Sequence, residues 1–180
     1  MYSIDKTFEF EYGHRVWSQK LNSTFSLDSK CICRYLHGHH GVVKVHLSSQ
    51  TLVDGMVTDF KHLNIFKKFV DDVLDHKFIL DVNDPLFFLE AKVITKTNDF
   101  KFYKTIDVEA LALPKDLPDD VVNAVKEKYE SYVLVSFVPT SENICKWLCY
   151  IANEMLKDLS VKVNCIEFNE TPKSHCAYSV

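Results

Sequence analysis

Polar and aromatic side chains alternate along Thr7-Phe8-Glu9-Phe10-Glu11-Tyr12, the two-residue period of a strand with one face in a core. The pattern predicts a strand over 4–12 that carries Phe8, Phe10 and Tyr12 on its inner side. His14 shares their parity, so a strand continuing through Gly13 turns that imidazole inward too. A second alternation, Val42-Val43-Lys44-Val45-His46-Leu47, follows Leu36-His37-Gly38-His39-His40-Gly41. If the strand begins at the histidines, His37 and His39 project from one face. His40 and His46 then lie on the other, as structural or solvent-facing residues.

Elsewhere the apolar spacing lengthens to three and four. Phe60, Leu63, Phe66, Val70, Val73 and Leu74 form one stripe behind Asp59, an amphipathic helix whose first turn the Asp59 carboxylate caps. It is expected to end near Leu74-Asp75-His76-Lys77-Phe78. Ile144, Trp147, Leu148, Ile151, Met155 and Leu159 predict a second helix, capped by Thr140 or Ser141. Strands are expected over 132–138, where Pro139 ends the run, and over 161–170. Between the two helices the reading is a hairpin pairing 91–94 with 100–104 around Thr97-Asn98-Asp99, then a short helix over 119–127. Residues 18–30, rich in Ser, Asn, Asp and Lys, are read as a mobile loop. The order is β-β-α, a variable middle, then β-α-β. That order predicts an α+β domain with two main helices on one face of an antiparallel sheet.

Composition narrows the setting. With 180 residues, 47% hydrophobic content and few breakers (Gly 4, Pro 5), the chain is expected to be a single domain over 1–180, with a longer variable middle segment at about 90–130. A net charge of -4 and the lack of a basic, aromatic-laced run argue against nucleic acid as partner. No signal-peptide layout and no apolar run near the ~18 residues of a membrane span lead to the expectation of a soluble, cytoplasmic protein with no membrane partner. In that compartment the six cysteines are expected to be free thiols.

Three groups of residues could carry chemistry. His14, His37 and His39 offer neutral imidazoles to one ion, and three protein ligands with a fourth position open is the pattern of catalytic zinc. The competing reading is three histidines satisfied singly in core or surface. Cys33, Asp75 and His76 supply a thiol, a histidine to stabilise its thiolate and a carboxylate to orient that histidine. Otherwise they are a passive loop thiol and an ordinary helix terminus. Glu170 and Glu142 could each accept two hydrogen bonds from a guanidine-like edge, or simply be solvated.

The motifs Phe10-Glu11-Tyr12-Gly13-His14-Arg15, Leu36-His37-Gly38-His39, Gly55-Met56-Val57-Thr58-Asp59-Phe60, Leu74-Asp75-His76-Lys77, Pro139-Thr140-Ser141-Glu142-Asn143 and Glu170-Thr171 together resemble the 6-pyruvoyl-tetrahydropterin synthase / 6-carboxy-tetrahydropterin synthase family. The resemblance implies the tunnelling fold, assembled as a homohexamer of two trimers. It implies Zn2+ on His14, His37 and His39, catalytic Cys33 assisted by Asp75 and His76, and a substrate site built from Thr140, Ser141, Glu142 and Glu170. The implied substrate is a pterin triphosphate, 7,8-dihydroneopterin triphosphate. Cys33 stands four residues before His37, as in the carboxy branch; Cys31, six before, matches the pyruvoyl branch and is the alternate thiol. The compact Cys33-Arg34-Tyr35-Leu36-His37 favours the carboxy branch. The implied activity is then a carbon-carbon lyase, 6-carboxy-5,6,7,8-tetrahydropterin synthase, releasing acetaldehyde and triphosphate for 7-deazaguanine (queuosine) biosynthesis. The alternatives are 6-pyruvoyl-tetrahydropterin synthase and a non-catalytic pterin- or metal-binding homologue. Two departures stand out: Tyr12-Gly13 replaces the usual small pair before the first zinc histidine, and His40-Gly41 replaces the usual polar-aromatic pair after His-Gly-His.

Overall fold

In the computed structural model, which describes residues 1–18, 31–94 and 100–180, both alternating stretches form long strands, β1 (Tyr2–His14) and β2 (His37–Ser49). The other strands are β3 (Lys77–Asp81), β4 (Lys104–Thr105), β5 (Tyr132–Val135), β6 (Lys162–Thr171) and β7 (Ser174–Ser179). The helices are α1 (Asn64–Phe69), α2 (Phe87–Glu90), α3 (Asp119–Glu130) and α4 (Ser141–Leu156). Seven strands form one sheet in the order β4-β5-β3-β1-β2-β6-β7. Nearly all of the expected loop at 18–30, and the turn at 97–99, lie outside the described residues. No helix among the described residues is long and apolar enough to cross a membrane.

The fold comprises two compact units. The first contains Met1–Tyr12, His39–Asp75 and Thr140–Val180. Here β2 pairs antiparallel with β6 (Val45 opposite Ile166), and β6 pairs with β7 (Phe168 opposite Cys176). The inward residues of the alternation are buried as expected: Phe8, Phe10 and Tyr12 on β1, Val43, Val45 and Leu47 on β2. α4 lies on β6 and β7 with Ile144, Trp147, Leu148 and Ile151 buried.

The helical run after Asp59 is continuous but changes its winding. Asp59 caps it, accepting from the Lys61 N–H at 2.8 Å. A 3-10 turn (Phe60–Leu63) precedes α1, and a wider π turn (Val70–Leu74) follows. The tighter first turn rotates Phe60 out of the stripe expected from 3.6-residue periodicity, and it is 48% exposed. The wide last turn closes on an Asp75 N–H to Val70 carbonyl bond of 2.9 Å. Phe66 packs edge-on against Phe8 (5.3 Å between centroids) and Phe69 against Trp147 (6.0 Å), which fastens α1 to strand and helix alike.

The second unit contains Gly13–Gly38 and His76–Pro139. It corrects the sequence reading in three places. β3 was not anticipated, because Lys77-Phe78-Ile79-Leu80-Asp81 shows no alternation. It pairs parallel with β5, Leu80 opposite Leu134, so the sheet is mixed rather than antiparallel; the long segment between them supplies the crossover that a parallel pair requires. The 91–94 half of the expected hairpin is a turn that follows α2, with the Ile94 N–H on the Glu90 carbonyl. β4 pairs with β5 instead, Lys104 opposite Leu134. The middle segment thereby builds a cluster of its own: Phe87, Ile94 and Tyr129 close over Leu80 and Leu134. Ile79, Val133 and Val135, of opposite parity, are equally buried, so this part of the sheet is covered on both faces.

Candidate functional site

β1 ends at His14 and β2 begins at His37, so strand parity delivers three imidazoles from the ends of two strands. His14 is fully buried; His37 and His39 are partly so. Their ligating nitrogens all lie within 4.8 Å of one another, the set of His, Cys, Asp or Glu groups among the described residues that could hold a metal ion. The rings of His14 and His37 stand 4.5 Å apart.

Hydrogen bonding sets which nitrogen each ring can offer. The His14 Nδ1–H donates to the Pro139 carbonyl (2.5 Å) and the His37 Nδ1–H to the Tyr35 carbonyl (2.7 Å). A carbonyl can only accept, so in both rings Nδ1 carries the proton and Nε2 keeps its lone pair. A backbone carbonyl accepting from Nδ1–H fixes the tautomer that a metal-binding histidine needs. A tetrahedral ion with bonds of about 2.1 Å holds its ligands about 3.4 Å apart, within small side-chain adjustments of the spacing observed. The donor set therefore fits zinc.

A carboxylate borders the trio. Glu170, near the end of β6, places Oε1 3.7 Å from His39 Nε2. Tyr12 packs its ring 5.7 Å from that of His39. Burial, and then the Glu170 charge, push the Tyr12 phenol far above its ordinary range, so it stays neutral. A Cβ added at Gly41 would lie 3.1 Å from both Tyr12 Cε1 and Phe10 Cζ and 3.2 Å from Phe168 Cε2. Phe10 and Tyr12 on β1 and Phe168 on β6 together fill the room that a side chain at 41 on β2 would need.

The remaining residues singled out from the sequence sit on separate elements. Cys33 lies in a 3-10 turn (Ile32–Arg34), partly exposed. Asp75 leaves the π turn and accepts from the Glu11 N–H at 2.9 Å, three residues before His14 on β1. His76 has φ 57, a left-handed conformation that is uncommon for a residue with a side chain and recurrent at functional positions. Thr140 is the N-cap of α4, accepting from the Asn143 N–H at 3.3 Å; Ser141 and Glu142 open the helix, half-buried and exposed. None of the six cysteines is in a disulfide. Sequence reading missed the supporting roles of Pro139 and Tyr12, the first because a backbone acceptor carries no side-chain signature.

The chain as a whole is similar to known proteins. A family profile described as 6-pyruvoyl tetrahydropterin synthase matches residues 3–180. The 6-carboxy-5,6,7,8-tetrahydropterin synthase of Aquifex aeolicus is 43% identical over 94 residues, 48% of this chain and 57% of that protein, so the chain matches little more than half of that relative's length. The protein of the same name from Haemophilus influenzae is 27% identical over 183 residues, 99% of each chain. Among solved structures, an uncharacterized protein of Wolinella succinogenes is 47% identical with a TM-score of 0.83, covering 99% of this chain and 97% of that one.

Proposed function

The chain belongs to the 6-pyruvoyl tetrahydropterin synthase family and has its tunnelling fold, and on that premise we propose that it is a zinc-dependent 6-carboxy-5,6,7,8-tetrahydropterin synthase. The substrate is 7,8-dihydroneopterin triphosphate; the products are 6-carboxy-tetrahydropterin, acetaldehyde and triphosphate, within 7-deazaguanine biosynthesis. The observation that carries the reading is the trio His14, His37 and His39, with ligating nitrogens within 4.8 Å and a carboxylate, Glu170, alongside. The name shared by the Aquifex and Haemophilus relatives supports the carboxy branch. We infer further that residues 1–180 act as one family domain and assemble as a hexamer of two trimers.

Each residue has a definable task. His14, His37 and His39 hold the ion, which when bound supplies Lewis-acid polarisation of the substrate's side-chain hydroxyls. Glu170 accepts from the 2-amino and N3–H edge of the pterin, a paired recognition that a carboxylate matches. Thr140, Ser141 and Glu142 complete the pterin contact. Cys33 Sγ and the His76 imidazole, oriented by Asp75, exchange protons with the side chain so that it tautomerises and triphosphate leaves.

The test is a product assay with dihydroneopterin triphosphate, with zinc measured on the same sample. Acetaldehyde with carboxy-pterin is the expected result. 6-Pyruvoyl-tetrahydropterin as sole product would move the enzyme to the carbon-oxygen lyase branch and favour Cys31 as the thiol. No turnover of a zinc-loaded sample would leave a binding homologue.

A further inference from the structure

The three residues that follow β1 tie one proposed metal ligand to the proposed catalytic turn. After His14 the chain runs Arg15-Val16-Trp17, and each of these makes one defined bond within the second unit. Arg15 Nε lies 3.0 Å from Asp84 Oδ2. The Trp17 indole N–H donates to Asp81 Oδ2 at 2.8 Å. Between them, the Val16 N–H donates to the Cys33 carbonyl at 2.8 Å.

The two carboxylates are not surface charges. Asp81 and Asp84 are 2% and 3% exposed, and each spends its other oxygen on its own loop. Asp81 Oδ1 accepts from the Asn83 N–H and side-chain amide, and Asp84 Oδ1 from the Leu86 N–H. A buried carboxylate is tolerated only when its partners are in place. The segment at the end of β3 therefore presents two fixed carboxylates, Asp81 accepting from the Trp17 indole N–H and Asp84 ion-paired with Arg15. With both flanks fixed, the middle N–H has one direction, toward Cys33.

We propose that Arg15 and Trp17, anchored on Asp84 and Asp81, are positioning residues that hold the Cys33 turn at the site through Val16. This rests on the reading of Cys33 as the proton-transfer thiol. Neither side chain touches substrate in this scheme; each acts through the backbone that carries the thiol.

The experiment uses the zinc-loaded full chain. Trp17→Phe removes the indole N–H and keeps a ring. Asp81→Ala removes the acceptor of that N–H. For each variant, kcat and KM are measured, along with the iodoacetamide alkylation rate of Cys33 by peptide mass spectrometry, with Cys165 as internal control. Trp17→Phe and Asp81→Ala are expected to lower kcat at least tenfold with KM within twofold, and to raise Cys33 alkylation at least threefold with Cys165 unchanged. Should Trp17→Phe fold poorly, Arg15→Gln tests the other flank with the same expected pattern. If Cys33 alkylation and kcat both stay within twofold in Trp17→Phe and Arg15→Gln, while Cys33→Ala is inactive, the clamp is refuted. If Cys33→Ala turns over normally, the assignment of Cys33 fails instead, whatever the clamp variants do.

Discussion

Replacing Gly13 by Ala is the sharpest available test of how the histidine-bearing end of β1 is seated. Gly13 has no positive φ, so the demand on this position is spatial rather than conformational. An added Cβ would lie 2.4 Å from Phe78 Cε2, 2.6 Å from Cδ2 and 3.0 Å from Cζ. Carbon atoms settle at about 3.5–4.0 Å, so one side must give by about an ångström. The obstacle is a ring on β3, which itself packs 6.4 Å from the Tyr132 ring on β5. Overpacking of this kind costs about 1–3 kcal/mol. For a chain of this size, roughly 2–4 °C of melting temperature accompanies each kcal/mol, so the expected fall is roughly 2–12 °C. Because His14 is the next residue, zinc affinity should fall as well. Denaturant unfolding of the apo protein, with zinc titration in parallel, gives both quantities. Phe78→Leu should relieve the clash, so the double variant should be more stable than additivity predicts by about 1 kcal/mol or more. A Gly13→Ala protein within about 0.5 kcal/mol of the parent, or strict additivity with Phe78→Leu, would refute the packing argument.

Other expectations follow from single features. His37→Ala should abolish stoichiometric zinc without unfolding the chain, since an open three-ligand site contributes less to folding than a closed one; full zinc retention by elemental analysis contradicts this. Thr140→Ala should cost about 1 kcal/mol of stability through loss of the α4 cap, with or without ligand, and unchanged denaturant unfolding would show the cap to be idle. Burial pushes the Cys145 thiol from 9.0 up to about 12 and Cys149 up to about 11, and Cys145 Sγ donates to the Ile166 carbonyl at 3.3 Å. The unfolded thiols ionise first as pH rises past 9, so stability is intact below that value and falls between pH 9 and about 11–12. Cys145→Ala should lessen that alkaline slope by about one proton, and a slope identical to the parent's would count against the buried-thiol assignment.

What was legible in the sequence was local. Alternation about Phe8, Phe10 and Tyr12 placed His14 on the inner face, and the same period placed His37 and His39 together, because strand geometry repeats every two residues whatever lies beyond. The caps Asp59 and Thr140 were readable for a similar reason: a cap answers to the N–H groups of its own first turn. The winding of the first helix was not, since tighter and wider turns at its ends respond to packing that hydrophobic spacing does not encode.

Long-range pairings were decided by tertiary structure alone. Lys77-Phe78-Ile79-Leu80-Asp81 has no alternation because both its faces are buried, and only its partner β5 makes it a strand. Residues 91–94 had strand composition, yet Ile94 is buried in the cluster with Tyr129 and Leu134 instead of pairing in a hairpin. Asp81 and Asp84 meet Trp17 and Arg15 only because the fold brings together residues more than sixty positions apart in the chain. The sequence determined by itself which histidines face the same way. That Pro139 fixes the His14 tautomer, that Phe10, Tyr12 and Phe168 fill the room of a side chain at Gly41, and that Val16 holds Cys33 came only with the tertiary structure, because each joins atoms whose separation depends on the path of the chain between them.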